Sequence, residues 1–186
     1  MTVSTVEVSA VAVPPSLLSP QAPQPQDFEA LDSCHREVMV TLNRLVQLID
    51  HLAAQGPDAT AQGMASEIVS FFNQTARAHH ADEERLIFPD LLRSDDTVLV
   101  QHVQRLQQDH GWLEEDWLTL APPLDAVAQG YSWYDLDMLR QATAVFTELY
   151  MDHIDLEESL IYPEAKRLMR QRPGAGSGRA RAAARH

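Results

Sequence analysis

The chain has 186 residues, 45% of them apolar, which is the size of one compact domain with enough apolar material for a core. Its 27 acidic residues outnumber 14 basic ones and give a net charge of -13, which excludes nucleic acid and anionic membranes as partners of the main body. Because Cys34 is the only cysteine, the sequence excludes an intramolecular disulfide and a cysteine-built metal site, so any metal must be bound by nitrogen and oxygen.

Residues 1–26 are rich in proline and contain neither lysine nor arginine. Pro14 and Pro15 break their apolar run, which predicts a flexible leader rather than a secretory signal. No apolar stretch in the chain approaches the roughly 18 to 20 residues that span a bilayer. We therefore expect a cytoplasmic protein without a membrane partner.

Turn signals at residues 56–57, 93–96 and 122–130 divide the next part of the chain into four segments. In each segment, apolar residues recur every three or four positions, which is typical of one buried stripe of an amphipathic helix. The second stripe passes through Thr75, and the fourth ends at Leu160. Short connections favour antiparallel neighbours, so we predict an all-α, up-down-up-down four-helix bundle over residues 27–170.

Polar side chains interrupt the four stripes at a single level. His35 and His79 both lie 22 residues from Pro57, which places them at one height in the bundle. The interrupting residues on the four helices are His35, then His79 and Glu83, then His110, then His153 and Glu157. In each His-x-x-x-Glu pair, both side chains share one helix face and reach the same interior volume.

The chain also contains an internal repeat. HHADEERLIFPDLLR, beginning at His79, and HIDLEESLIYPEAKR, beginning at His153, are identical at seven of fifteen positions. His35 precedes the first copy by 44 residues and His110 precedes the second by 43. This spacing predicts a pseudo-twofold bundle made of two helical hairpins.

Four imidazoles and two carboxylates at one level indicate a metal site, because buried carboxylates without a cation repel each other and are poorly solvated. Nitrogen and oxygen donors without a thiolate suit iron, manganese or zinc, and carboxylate sites in helical bundles commonly hold two irons. We predict two iron ions joined by an oxo or hydroxo bridge, with an open position for a small ligand. Zinc and manganese are the less favoured alternatives.

The sequence resembles the hemerythrin-like, or HHE cation-binding, family in the six predicted ligands and in two motifs that follow them. These motifs are Leu-Ile-Phe-Pro after Glu84 and Leu-Ile-Tyr-Pro after Glu158. The resemblance covers roughly residues 27–170. It implies a non-haem di-iron centre in a four-helix bundle, with chemistry on oxygen, nitric oxide or peroxide, or iron sensing.

Two departures from the oxygen-carrying hemerythrins narrow this expectation. Those proteins have a His-x-x-x-His on the third helix and usually a His-x-x-x-x-Asp on the fourth, whereas this chain has Leu106 four residues before His110, and Glu157. The set of four histidines and two glutamates is more similar to bacterial di-iron proteins that repair iron centres under nitrosative stress. Those proteins carry a further small domain with cysteines that does not occur in this sequence, so we do not expect that activity as a whole.

Residues near the six predicted metal ligands are expected to have supporting roles. His80 is rotated about 100° from His79 and is expected at an interface or behind the ligands. Glu84 and Glu158 are rotated similarly and are expected to orient histidines. Tyr150 and Glu114 are weaker candidates, Tyr150 for a hydrogen bond to a bound ligand and Glu114 as an alternative ligand or proton carrier.

From Lys166 onward the chain carries seven basic residues and no acid, so the preceding body has a charge of -20, and residues 171–186 are predicted to form a disordered basic tail.

The leading functional hypothesis is a di-iron protein that binds a diatomic ligand or peroxide and acts as an oxidoreductase, with electrons supplied by an electron-donor protein. The alternatives are a non-catalytic sensor of oxygen, nitric oxide or iron, and a metal-free interaction bundle.

Overall fold

The computed structural model describes residues 23–171, and all regular structure in that range is helical. The predicted leader and basic tail therefore lie outside the described residues, except at their inner edges. None of the helices in the described range is long and apolar enough to cross a membrane.

Four helical rods correspond to the four segments predicted from the sequence. Rod 1 is α1 (Pro25–Gln55); rod 2 comprises α2 (Ala59–Phe71), a π-helical segment (Phe72–Ala76), α3 (Arg77–Leu86) and α4 (Phe88–Leu91); rod 3 is α5 (Thr97–Ala128); and rod 4 comprises α6 (Leu136–Leu156), a second π-helical segment (Glu157–Ile161) and α7 (Tyr162–Gln171). Helix α1 packs against α2 and α6, and α5 packs against the same two helices, so the four rods surround a common interior.

Local signals in the sequence set where the rods begin and end. Asp58, Asp96 and Asp135 each accept hydrogen bonds from backbone N–H groups at the start of rods 2, 3 and 4, and such caps contribute about 1 kcal/mol each. Gly56 and Gly130 follow rods 1 and 3 with φ of 75° and 79°, a conformation that glycine adopts without strain.

The interior contains two apolar clusters with a polar level between them. The larger cluster includes Val38, Leu113 and Ile154, and the smaller includes Leu31 and Leu106. On each rod, the polar residues lie between residues of the larger cluster and residues of the smaller one. The histidines therefore lie at the same level of the bundle and are shielded from water by apolar side chains above and below.

The predicted end of the third helix at the proline pair is wrong. Helix α5 continues through Pro122 and Pro123 to Ala128, and rod 4 begins at Leu136 rather than near residue 132. Each proline inside a helix costs about 3 kcal/mol, so the pair costs about 6 kcal/mol. Leu124 and Val127 beyond the pair are fully buried in the larger cluster, and each such side chain contributes about 1.5–3 kcal/mol, which offsets much of the cost.

Two predicted stripe positions are also wrong, for a common reason. Thr75 is exposed while Ala76 is buried, and Leu160 is 37% exposed while Ile161 is fully buried. Both sites fall in π-helical segments, where the turn holds an extra residue and the inward face moves by one position. The second segment precedes Pro163, whose ring would clash with the carbonyl of Ser159 in a regular α-helix.

Replacing Ile161 with alanine tests this change of register. We expect the free energy of unfolding, measured with urea, to fall by about 2–5 kcal/mol, because a buried isoleucine is removed from the smaller cluster. The matched control, Leu160→Ala, is expected to cost less than about 1 kcal/mol. Equal losses, or a larger loss for Leu160→Ala, would mean that the uninterrupted stripe is correct.

Candidate metal centre

The structure brings all six predicted ligands into one buried cluster, and each is at most 7% exposed. They are His35 from α1, His79 and Glu83 from α3, His110 from α5, His153 from α6, and Glu157 from the start of the second π-helical segment.

One half of the cluster is formed by His35, His79 and the two glutamates. The Nε2 atom of His35 lies 3.2 Å from Oε2 of Glu157, and Nε2 of His79 lies 3.5 Å from Oε1 of Glu83. One donor atom from each of the four residues lies within 4.8 Å of all the others. Donors around one cation at about 2.1 Å are up to about 4.2 Å apart, so this group is close to the size of a coordination sphere.

The other half is formed by His110 and His153 with the same two glutamates. Nε2 of His110 lies 3.5 Å from Oε2 of Glu83, and Nε2 of His153 lies 3.3 Å from Oε2 of Glu157. Because Glu83 and Glu157 belong to both groups, the two carboxylates lie between two positions that could each hold a cation.

Donor atoms in this cluster lack hydrogen-bond partners among the described residues. They include both oxygens of Glu157, Oε2 of Glu83, and Nε2 of His110 and His153, all of them buried. Leaving a buried carboxylate oxygen unpaired costs about 1–3 kcal/mol or more, so native proteins rarely leave several together. The orphaned donors and their chemistry fit a pair of cations bound by nitrogen and oxygen.

The electrostatics of the cluster agree with this interpretation. Burial, together with the negative charge of Glu83, raises the pKa of Glu157 well above its usual value. Burial lowers the pKa of His79 to about 4, so its imidazole is neutral at pH 7 and retains a lone pair for a metal. Cations at the centre would stabilise both carboxylates in the charged form, which burial alone opposes.

Carboxylates outside the cluster orient two of the histidines. The Nδ1–H of His35 donates to Oε1 of Glu158 at 3.0 Å, and that of His110 donates to Oε1 of Glu84 at 2.9 Å. These are the contacts anticipated for the two glutamates. By fixing the tautomer and the ring orientation, they turn each Nε2 toward the centre.

Asp109 and Tyr162 were not anticipated from the sequence. Asp109 is 1% exposed, and its Oδ2 lies 3.9 Å from Nδ1 of His153. The Tyr162 hydroxyl donates to Oε1 of Glu83 and lies 3.2 Å from Nε2 of His35, with the two rings stacked at 5.3 Å. The one sequence feature that pointed to Tyr162 was the internal repeat, in which Tyr162 aligns with Phe88 and carries a hydroxyl that Phe88 does not have.

The weaker candidates occupy different places. Glu114 is 52% exposed and pairs with Arg77 at the surface, so the structure does not bring it to the cluster. Tyr150 is buried, and its ring lies 5.8 Å from that of His80. His80 stacks on His110 at 4.1 Å and forms a further group of three nitrogen donors with His110 and His153.

Comparison with known proteins agrees with the geometry of the cluster. Residues 26–165 match the sequence model of the Hemerythrin HHE cation binding domain. The chain belongs to this family. An uncharacterized protein of Haemophilus influenzae (strain ATCC 51907 / DSM 11121 / KW20 / Rd) is 30% identical over 146 residues, covering 77% of this chain and 83% of that protein. The family resemblance drawn from the sequence is thereby confirmed, and the hemerythrin HHE domain is a cation-binding domain.

Replacing His79 with alanine tests whether the cluster holds metal. We expect the metal content of the purified hemerythrin-like domain, measured by elemental analysis, to fall by about half or more. The melting temperature of the metal-loaded protein should fall with it, because a cation that binds only the folded state stabilises it by about 2.7 kcal/mol when free metal is 100 times Kd.

His102→Ala is the control for this variant, since His102 is half-buried on α5 and outside the donor groups. Metal content should be unchanged in the control. Wild-type metal loading in His79→Ala would remove His79 from the set of ligands.

Replacing Tyr162 with phenylalanine tests the hydroxyl contact with Glu83. In the presence of a metal chelator, we expect the free energy of unfolding to fall by about 1–3 kcal/mol. The buried carboxylate of Glu83 loses its hydroxyl donor, while the aromatic ring remains. Tyr131→Phe, at a residue 48% exposed, should change it by less than about 0.5 kcal/mol. Equal effects of the two variants would show that the contact does not support the cluster.

Proposed function

We propose that this hemerythrin HHE domain binds two iron ions and uses them to bind and reduce oxygen, nitric oxide or peroxide. The observation that carries the proposal is the sharing of Glu83 and Glu157 by two donor groups, with carboxylate oxygens left unpaired between them. A single cation would leave one histidine pair and part of the shared carboxylates unused.

In the proposed arrangement, His35 and His79 would hold one iron, His110 and His153 would hold the other, and Glu83 and Glu157 would be shared by both. Iron bound there would supply redox equivalents for the reduction of a small ligand. Imidazole and carboxylate donors suit iron, zinc and manganese alike, and iron is favoured because carboxylate sites in helical bundles commonly hold two irons.

The remaining side chains support this site by position and by exclusion of water. Glu84 and Glu158 hold two imidazoles through their Nδ1–H groups, and Asp109 faces the Nδ1 atom of a third. The Tyr162 hydroxyl holds a proton against Glu83, within reach of His35. The apolar clusters on either side keep the polar level dry, which strengthens each of these electrostatic contacts.

We further propose that the rods run up-down-up-down with pseudo-twofold symmetry. The connections between rods are short, and each half of the chain supplies one histidine followed by one His-x-x-x-Glu pair. The set of four histidines and two glutamates is the reason for proposing that the domain is nearer to the di-iron proteins that repair iron centres under nitrosative stress than to the oxygen carriers.

Turnover separates the proposed reductase from a sensor. Iron-loaded, reduced protein would be mixed with nitric oxide, oxygen or hydrogen peroxide in the presence of excess reductant, and the consumption of each would be followed over time. We expect at least one of the three to be consumed over many equivalents per chain. The zinc-loaded protein, which has the same ligands but no redox chemistry, should be inactive. Uptake that stops at about one equivalent would contradict the reductase and favour the sensor.

A further inference from the structure

A cleft of about 420 Å³ lies between rods 2 and 3. Its exposed residues include Arg77 and Glu114, which form an ion pair and are 63% and 52% exposed. Its buried residues include His110 and Tyr150. The cleft therefore extends from the protein surface to the side of a proposed metal ligand, His110.

His80 is half-buried and lines the cleft beside His110 and Tyr150. Its ring is stacked between the rings of His110, at 4.1 Å, and Tyr150, at 5.8 Å. Its Nε2 atom is buried and has no hydrogen-bond partner among the described residues. One nitrogen of His80 lies within 4.8 Å of one nitrogen each of His110 and His153, but the stacked rings of His80 and His110 are nearly parallel, at 12°, so their in-plane lone pairs do not converge on one cation. This favours a contact with a ligand in the cleft over metal coordination.

The opposite half of the cluster is covered by side chains. The Tyr162 ring stacks on His35, and its hydroxyl is bonded to Glu83. Phe28 packs edge-on against Tyr162 at 6.0 Å, and the Lys166 ammonium lies 5.0 Å from the centre of the Phe28 ring. A molecule approaching from this side would have to displace buried aromatic rings. Phe88 likewise stacks on His110, at 5.6 Å, but the cleft reaches His110 from the surface beside His80.

We propose that small ligands, namely diatomic molecules and linear anions such as azide, reach the centre through the cleft on the His110 side, and that Nε2 of His80 forms a hydrogen bond with them there. This inference rests on the proposed iron centre. It makes the two metal positions unequal, since exogenous ligands meet the position bound by His110 and His153.

Gly111 provides a direct way to close the cleft. It lines the cleft on α5, and a Cβ atom built there meets nothing within 4 Å. A leucine at this position would fill space in the cleft without backbone strain. Gly63 on α2 is a matched control, because a Cβ there also meets nothing within 4 Å and the residue does not line the cleft.

The experiment measures azide binding to iron-loaded wild type, Gly111→Leu and Gly63→Leu by stopped-flow absorption, with iron content determined for each. We expect Gly111→Leu to retain its iron and to bind azide at least about tenfold more slowly, while Gly63→Leu stays within about twofold of wild type. Azide binding at the wild-type rate in iron-loaded Gly111→Leu would overturn the proposed route. A wild-type protein that takes up no iron would instead refute the proposed function, so the two failures are distinguishable.

His80→Ala separates the two roles of His80. We expect full iron content and an azide dissociation constant raised about five- to tenfold, as for the loss of one hydrogen bond. Loss of iron from this variant would make His80 a metal ligand, and an unchanged dissociation constant would remove its contact with the ligand. Either result would overturn the role proposed here.

Discussion

Glu83 and Glu157 are fully buried in the same small volume, and their mutual repulsion is the constraint around which the rest of the molecule is arranged. Two carboxylates in a low-dielectric interior cannot both remain charged unless positive charge lies between them. Four imidazole nitrogens surround the pair, and donor atoms that have no protein partner point to cations as the remaining component. Membership in the hemerythrin HHE cation-binding family agrees with that requirement.

Side chains at three distances from the two glutamates help to accommodate them in the interior. The rods supply one or two donors each at the polar level, and apolar clusters on both sides keep that level away from water. From outside the cluster, Glu84 and Glu158 accept hydrogen bonds from two of the histidines, and Asp109 lies 3.9 Å from Nδ1 of a third. The internal repeat is not symmetric in its chemistry, because Tyr162 holds Glu83 where the first copy has Phe88. Phe88 instead stacks on His110, at 5.6 Å, without a hydroxyl to donate, and the cleft lies beside that histidine.

Helical periodicity was sufficient to predict the number of rods and the residues that meet at the polar level. That succeeded because a His-x-x-x-Glu pair occupies one helix face in almost any context, and because buried polar residues stand out against an apolar stripe. Thr75 and Leu160 were misplaced because a π-helical turn shifts the inward face by one residue without a clear change in composition. The extent of α5 beyond Pro122 depended on tertiary burial, which local turn signals do not report. The roles of Asp109 and Tyr162 come from contacts with residues on other rods, and the periodicity of a single helix does not report such contacts.

The number of metal ions bound by one folded chain tests the central claim most directly. Metal-free protein would be titrated with ferrous iron without oxygen, and the bound ions counted by native mass spectrometry. A centre built on two shared carboxylates predicts an end point of two iron ions per chain. An end point of one ion or none, in protein that remains folded, would contradict the account.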